Sequence, residues 1–269
     1  MSDNKNHSVR EFVSSRQFTV DVGVLGRKKH RVQALLELDV TACRQFLQKY
    51  RDENNVEVSF TAWIIKCISQ AVVEHKDVHA IRQGNNQLVI FDEIDISLLV
   101  EKELHGEKVP LPIVLRKTNE KTAEQIHQEI RLAKAQPVYD EKNYVLGEKQ
   151  SKWGIKLFLA MPQVLRLWIW RLILRNPQRM KEMMGTVVVT SVGMIGNIKG
   201  WLIPSSIHPV AFAMGSIVKR PGVIEDQIEI REYLPLTILI DHDVVDGAPA
   251  ARFLSRLTEI IETEWRGQN

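Results

Sequence analysis

Apolar and polar positions alternate from Arg31 onward, with Val32, Ala34, Leu36, Leu38 and Val40 forming one row. That period of two predicts a strand with one wetter face. The period changes after Asp39. Thr41 is placed as an N-cap, and Phe46, Leu47 and Tyr50 recur at helical spacing. Ser59 is a second cap, and the run from Ala62 to Val73 is apolar around much of its circumference. Such a helix is expected to be largely buried.

Asn85-Asn86 predicts a turn between short extended pieces around Ile81 and Leu88–Phe91. Ile94 to Val100 is a dense, β-branched run, hence a buried strand. Leu111 to Leu115 is another strand, and Pro110 and Pro112 assign it to an edge or a bulge. Thr122 to Ala135 carries Ala123, Ile126, Ile130 and Ala133 on one helical face. After Gly185, strands are expected at Thr186–Thr190, Val210–Ile217 and Leu236–Ile240, and a helix from Ala248 to Glu264 closes the pattern. Helices and strands alternate without a regular βαβ rhythm. The expected class is therefore α/β: an α+β two-layer sandwich, with a mixed β-sheet and helices packed on one side. The whole of 1–269 reads as one domain, with a loose arm over 1–15 and no internal repeat.

Residues 136–183 break the pattern. Trp153 to Arg175 is the most apolar stretch and holds three of the six tryptophans. A membrane span needs roughly 20 uncharged apolar residues, and Lys156, Pro162, Gln163, Arg166 and Arg171 interrupt this one. A pair of helices packed over the core or in a subunit interface fits the interruptions. Membrane-surface attachment through 153–175, or a lid over an apolar acyl site, are the alternatives.

Composition narrows the class further. Apolar residues make up 44% and charged residues 26%, with a formal charge of +3, as in an ordinary globular chain. Basic residues concentrate only at Arg27-Lys28-Lys29-His30-Arg31. This run reads as a solvated turn, or as a patch for the phosphates of coenzyme A. No zinc spacing or recognition-helix signature accompanies it, which argues against nucleic acid. Cys43 and Cys67 lie in amphipathic stretches without metal spacing and read as small buried residues in a reducing compartment. The first twenty residues hold no apolar secretory core. The cytoplasm is the expected location.

Candidate chemistry gathers where the last strand ends, in Asp241-His242-Asp243-Val244-Val245-Asp246-Gly247. Polar side chains at the end of a rigid strand are fixed by the scaffold yet open to substrate. His242 suits a base near neutral pH; a structural histidine among carboxylates is the other reading. His242 and Asp246 have metal-ligand spacing only if both lie on a helix, so no metal is expected.

His242-x-x-x-Asp246-Gly247 after an apolar strand resembles a known active-site signature. It is shared by chloramphenicol acetyltransferase and the catalytic domain of dihydrolipoamide acyltransferases of 2-oxo acid dehydrogenase complexes. The segment Gly185-Thr-Val-Val-Val-Thr190-Ser191-Val-Gly193 is similar to that family's Gly-Thr-x-x-x-Ser-Asn-x-Gly strand and turn. Glu37-Leu-Asp-Val-Thr41, followed by two helices, resembles its entry strand and helix. The order and spacing of all three agree, so the likeness covers about residues 30–262. Two departures stand out. Asp243 replaces the family's usual arginine, and Thr190 stands where the family places a serine, with Ser191 beside it.

The resemblance implies a chloramphenicol acetyltransferase-like fold and transfer of an acyl group between coenzyme A, or another thiol, and an acceptor. His242 would be the general base, and Thr190 or Ser191 the hydroxyl that holds the oxyanion. Asp246 would be structural, paired with an arginine for which Arg16 is the candidate, and Gly247 would allow close backbone approach or a positive φ. A homotrimer is implied, with the site between subunits. With no lipoyl domain and no alanine- and proline-rich linker in view, the chain is expected to carry no covalent lipoyl group, and a separate lipoyl-bearing or acyl-carrier partner would be needed. A non-catalytic trimeric scaffold and a membrane-surface protein handling acyl chains are the competing readings of the same fold.

Overall fold

The computed structural model describes residues 12, 16–104, 107–136, 152–193, 196 and 199–263. Apart from Phe12, the arm expected over 1–15 lies outside them, as does 137–151 of the apolar segment.

The chain begins with α1 (Arg16–Gly26), which the hydrophobic pattern does not predict. β1 (Arg31–Asp39) follows, then α2 (Thr41–Asn54) and α3 (Phe60–Glu74). Ser59 caps α3 as expected, its side chain accepting from the Ala62 N–H. Thr41 does not cap α2. Val40 occupies the cap position, and Thr41 is the first helical residue. Its hydroxyl donates to Asp39 and accepts from the Glu232 N–H, tying the helix start to the sheet.

β2 (Ile81–Gln83) and β3 (Gln87–Val89) make a small separate hairpin around the Asn85-Asn86 turn. β4 (Ile96–Leu104), β5 (Glu107–Leu115) and α4 (Ala123–Ala135) come next. Thr122 and Gln125 form a reciprocal capping box at the start of α4. α5 (Lys152–Ala160), α6 (Gln163–Leu174) and α7 (Pro177–Met184) occupy the apolar segment. The chain then runs through β6 (Val187–Ser191), β7 (Val210–Met214), β8 (Val218–Ile224), β9 (Gln227–Asp241) and α8 (Gly247–Glu262).

The main sheet has the order β1-β9-β7-β6-β4-β5, and β8 pairs with the first half of β9. β6 runs parallel to β4 and β7, and the other pairs are antiparallel, so the sheet is mixed. β5, with its two prolines, lies at an edge as predicted. One face of the sheet presents Leu38, Ile96, Leu98, Val187, Val189, Phe212, Leu236 and Ile238 to the helices. Trp63, Ile64, Ile65 and Ile68 of α3 and Phe253, Leu257 and Ile261 of α8 meet them, each buried. Burying a side chain of this size contributes about 1.5–3 kcal/mol, which makes this layer the main source of stability.

The apolar segment does not lie over that core. Trp170 of α6 packs with Leu25 of α1 and Ile207 in a second, smaller cluster, joined by Phe18, Phe158, Leu167 and Ile173. Phe18 and Phe158 stack at 5.4 Å, and Trp170 meets both edge-on at 6.3 Å.

Candidate active site

β9 is flanked by β1 and β7 near its C-terminal end, where Ile240 pairs with both Val32 and Val210. The strand emerges there with its backbone fixed from both edges. The Asp241 N–H donates to the Pro209 carbonyl, and the His242 N–H donates to the His30 carbonyl at 2.8 Å. Asp241 is buried; its carboxylate takes a hydrogen bond from Lys29 Nζ and one from the Asp243 N–H. Two further backbone bonds, from Val244 and Val245 to the Asp241 carbonyl, close the turn. The imidazole of His242 is thus carried on a rigid turn and remains 47% exposed. Rigid support with an open side chain is the arrangement a general base requires.

Arg27 and Lys28 form an exposed turn as expected, but Lys29, His30 and Arg31 are engaged with the His242 turn and its surroundings. Lys29 pairs with Asp241, and His30 Nδ1 bonds Asp243 Oδ1 at 2.8 Å. That carboxylate raises the pKa of His30, and the histidine in turn lowers that of Asp243. Arg31 donates to the carbonyls of Ser206, His208 and Pro209. The three residues lock β1 and the 206–209 connection to the His242 turn. The sequence suggested this run only as a turn or a phosphate patch and not as support for the His242 turn, although a basic run facing an acidic Asp-His-Asp motif was a usable signal. The departure from the family at Asp243 has a structural counterpart: its carboxylate is matched by His30.

Thr190 and Ser191 lie at the other end of β6. Val187 and Val189 point into the main core, so strand alternation puts Thr190 on the opposite face and Ser191 on the core side. Thr190 is in register with Ala213 of β7, and Ala213 with Thr237 of β9. His242 is five residues beyond Thr237. At strand dimensions this is about 17 Å along the sheet and about 10 Å across it. Within one chain, neither hydroxyl reaches His242.

Asp246 precedes α8 as its cap residue, but its side chain makes no capping bond. It is 90% exposed and stands 3.9 Å from His242 Nδ1. Arg16 is not brought to it; its guanidinium lies 5.9 Å from the centre of the Phe12 ring. The carboxylate that holds this turn in the single chain is Asp241, and its partner is Lys29. Gly247 opens α8 with no positive φ, and no atom lies within 4 Å of where a Cβ would stand. The chain's own packing does not require glycine there. Packing does require glycine in the other motif. Gly185 has φ +73, and a Cβ there would strike the Asp95 carbonyl; one on Gly193 would strike Gly215. Thr186 is buried, with its hydroxyl 2.8 Å from His79 Nδ1.

A family model described as 2-oxoacid dehydrogenases acyltransferase (catalytic domain) matches residues 27–136 and 175–266. The chain is 24% identical over 234 residues to the lipoamide acyltransferase component of the branched-chain alpha-keto acid dehydrogenase complex of Bacillus subtilis (strain 168). That alignment covers 85% of this chain and 46% of the relative, so the chain spans under half the length of that curated protein. The fold is similar to a solved Azotobacter vinelandii dihydrolipoamide acetyltransferase, with a TM-score of 0.68 and 16% identity, over 98% of this chain and 96% of that one. Chloramphenicol acetyltransferase shares it at a TM-score of 0.50 and 13% identity, over 95% and 98% of the two chains. The expected fold class is therefore observed.

Proposed function

Because the chain belongs to the 2-oxoacid dehydrogenase acyltransferase catalytic-domain family, we propose that it transfers an acyl group between two thiols, coenzyme A being one of them. The observation that carries this reading is the presentation of His242, half-exposed on a turn that Asp241, Lys29 and two neighbouring strands hold fixed.

A thiol with a pKa of about 8.5 is mostly protonated at neutral pH, and the thiolate is the species that attacks efficiently. The imidazole of His242 removes the S–H proton as the sulfur forms a bond to the thioester carbonyl carbon. The carbonyl electron pair moves onto oxygen. A hydroxyl donor stabilises that oxyanion, and Thr190 is the residue we assign, ahead of Ser191, whose face is turned to the core. Collapse breaks the original C–S bond, and the imidazolium returns the proton to the departing sulfur.

Since Thr190 and His242 of one chain stand far apart, the proposed site is completed between copies, with His242 of one facing Thr190 of the next. In the Azotobacter vinelandii enzyme, a serine, a histidine and an asparagine are the residues whose role in the catalytic mechanism was investigated. The histidine there follows the serine by fifty-two positions, and the asparagine comes four later. Thr190, His242 and Asp246 have the same spacing here, which supports Thr190 over Ser191. The hairpin of β8 and β9 leaves Val223, Ile228 and Ile230 more than 70% exposed, an apolar surface suited to association between copies. A homotrimer is the assembly we propose, with the acyl group supplied by a separate lipoyl-bearing or acyl-carrier partner, and with a cytoplasmic location.

The test is a panel of acyl-coenzyme A thioesters with dihydrolipoamide as acceptor, read by chromatographic separation of S-acyl-dihydrolipoamide and free coenzyme A from the starting thioester. Turnover is expected with at least one thioester, and His242→Ala should lower it by roughly 10²–10⁴ with the fold intact. No turnover across the panel would contradict the assignment and leave the scaffold reading, whereas full turnover in the variant would remove His242 as the base.

A further inference from the structure

We propose that the outward face of α6 docks on an anionic lipid surface. Val164, Leu165, Trp168 and Leu172 are all exposed, at 78%, 50%, 57% and 42%. At 100° per residue they fall in one stripe about 100° wide along the helix. Arg175, also exposed, lies within the same sector, and exposed Arg171 stands about 20° beyond its edge. A large apolar row with basic residues in and beside it is the pattern of a helix lying in the headgroup region of a bilayer.

The stripe is not a core face that has failed to find its place. The opposite side of α6 is already committed. Arg166 grips the fully buried Asp21 of α1 through Nε at 2.8 Å and Nη2 at 3.1 Å, and Trp170 packs against Phe18 and Phe158. Rotating the helix to hide Trp168 would expose that ion pair and those rings. The orientation is therefore set by the fold.

Charge selects the occupant. Between Glu148 and Glu182 the sequence contains eight lysines and arginines and not one aspartate or glutamate. Two of these, Arg166 and Lys181, are engaged with Asp21, Glu93 and Asp95. The rest give this segment a basic character that matches an anionic surface and repels another copy of itself. The family match also omits 137–174, so this helix lies outside the matched segments. Among the described residues no helix is long and apolar enough to cross a membrane, which fits contact in the plane of the surface.

Co-sedimentation of the full chain with phosphatidylcholine vesicles, with and without about 30% phosphatidylglycerol, tests the proposal. Binding is expected only to the anionic vesicles and should weaken at high salt. Trp168→Glu with Leu172→Glu, and separately Arg171→Glu with Arg175→Glu, should each lower it at least tenfold. Solution mass and melting temperature should not change, because all four side chains point outward. Three results would overturn the proposal: no binding to either vesicle, equal binding to both, or anionic binding that neither variant alters. A drop in solution mass for Trp168→Glu with Leu172→Glu would also overturn it, assigning the stripe to contact between copies.

Discussion

Two histidines outside the His242 turn are built into the fold as neutral groups. His79 Nε2 donates to the Phe91 carbonyl, and its Nδ1 accepts from Thr186. His208 is held in the same way, by the Met184 carbonyl and the Ser206 hydroxyl. Burial pushes the pKa of each down to about 4. In the unfolded chain both return to about 6.5. The unfolded state therefore binds more protons between those values, and stability falls as pH drops from about 6.5 to about 4, then levels off for these groups. Each contributes up to about 3 kcal/mol to that loss. Thermal melts between pH 7.5 and pH 4.5 should show a steep fall that His79→Gln and His208→Gln both flatten. An unchanged slope in the double variant would mean that other groups carry it. Paired carboxylates such as Glu93, lowered to about 2 by Lys117 and Lys181, act at lower pH.

At the scale of elements, the dock of α6 on α1 rests on a buried charge pair. Arg166→Ala would leave Asp21 buried and unpaired, at a cost of about 3–5 kcal/mol. Replacing both partners with apolar residues, Asp21→Leu with Arg166→Met, should recover most of that loss. Denaturant melts of the three chains check this. A single variant as stable as the parent would show that the pair does not hold the helices together. The elements read from sequence and those missed differ in a physical way. α3 and α4 were legible because Ser59 and Thr122 cap them locally and their apolar period is their own. α1 was not, because Thr19, Val20, Val22, Gly23 and Val24 are poor helix formers. Its partners, Phe158, Arg166 and Trp170, lie more than a hundred residues away. The β8–β9 hairpin was hidden for another reason. Its turn places Glu225 and Asp226 at φ +47 and +64, conformations that usually call for asparagine or glycine. Pro221 and Gly222 also interrupt β8, so only the buried half of β9 showed as a strand. Of the candidate site, the His242 turn was legible, because its motif is local. The pairing of Lys29 with Asp241 was not, since it depends on β1 and β9 lying side by side.

At the scale of the molecule, the sheet register determines what one copy can do. Thr190 and His242 are separated by five residues along β9 and by two strand spacings, so under the proposed mechanism a lone chain would hold two halves of different sites. Shared sites between copies predict intersubunit complementation, which a site confined to one chain cannot give. Neither His242→Ala nor Thr190→Val alone should retain more than a small fraction of parental turnover. Co-assembled in equal amounts, they should recover about a quarter of it, because in one pairing of neighbours out of four an intact histidine meets an intact hydroxyl. The deciding measurement is the turnover of that mixed assembly against each variant alone: recovery to about a quarter is the expected result, and activity no greater than the average of the two single variants would contradict the shared site.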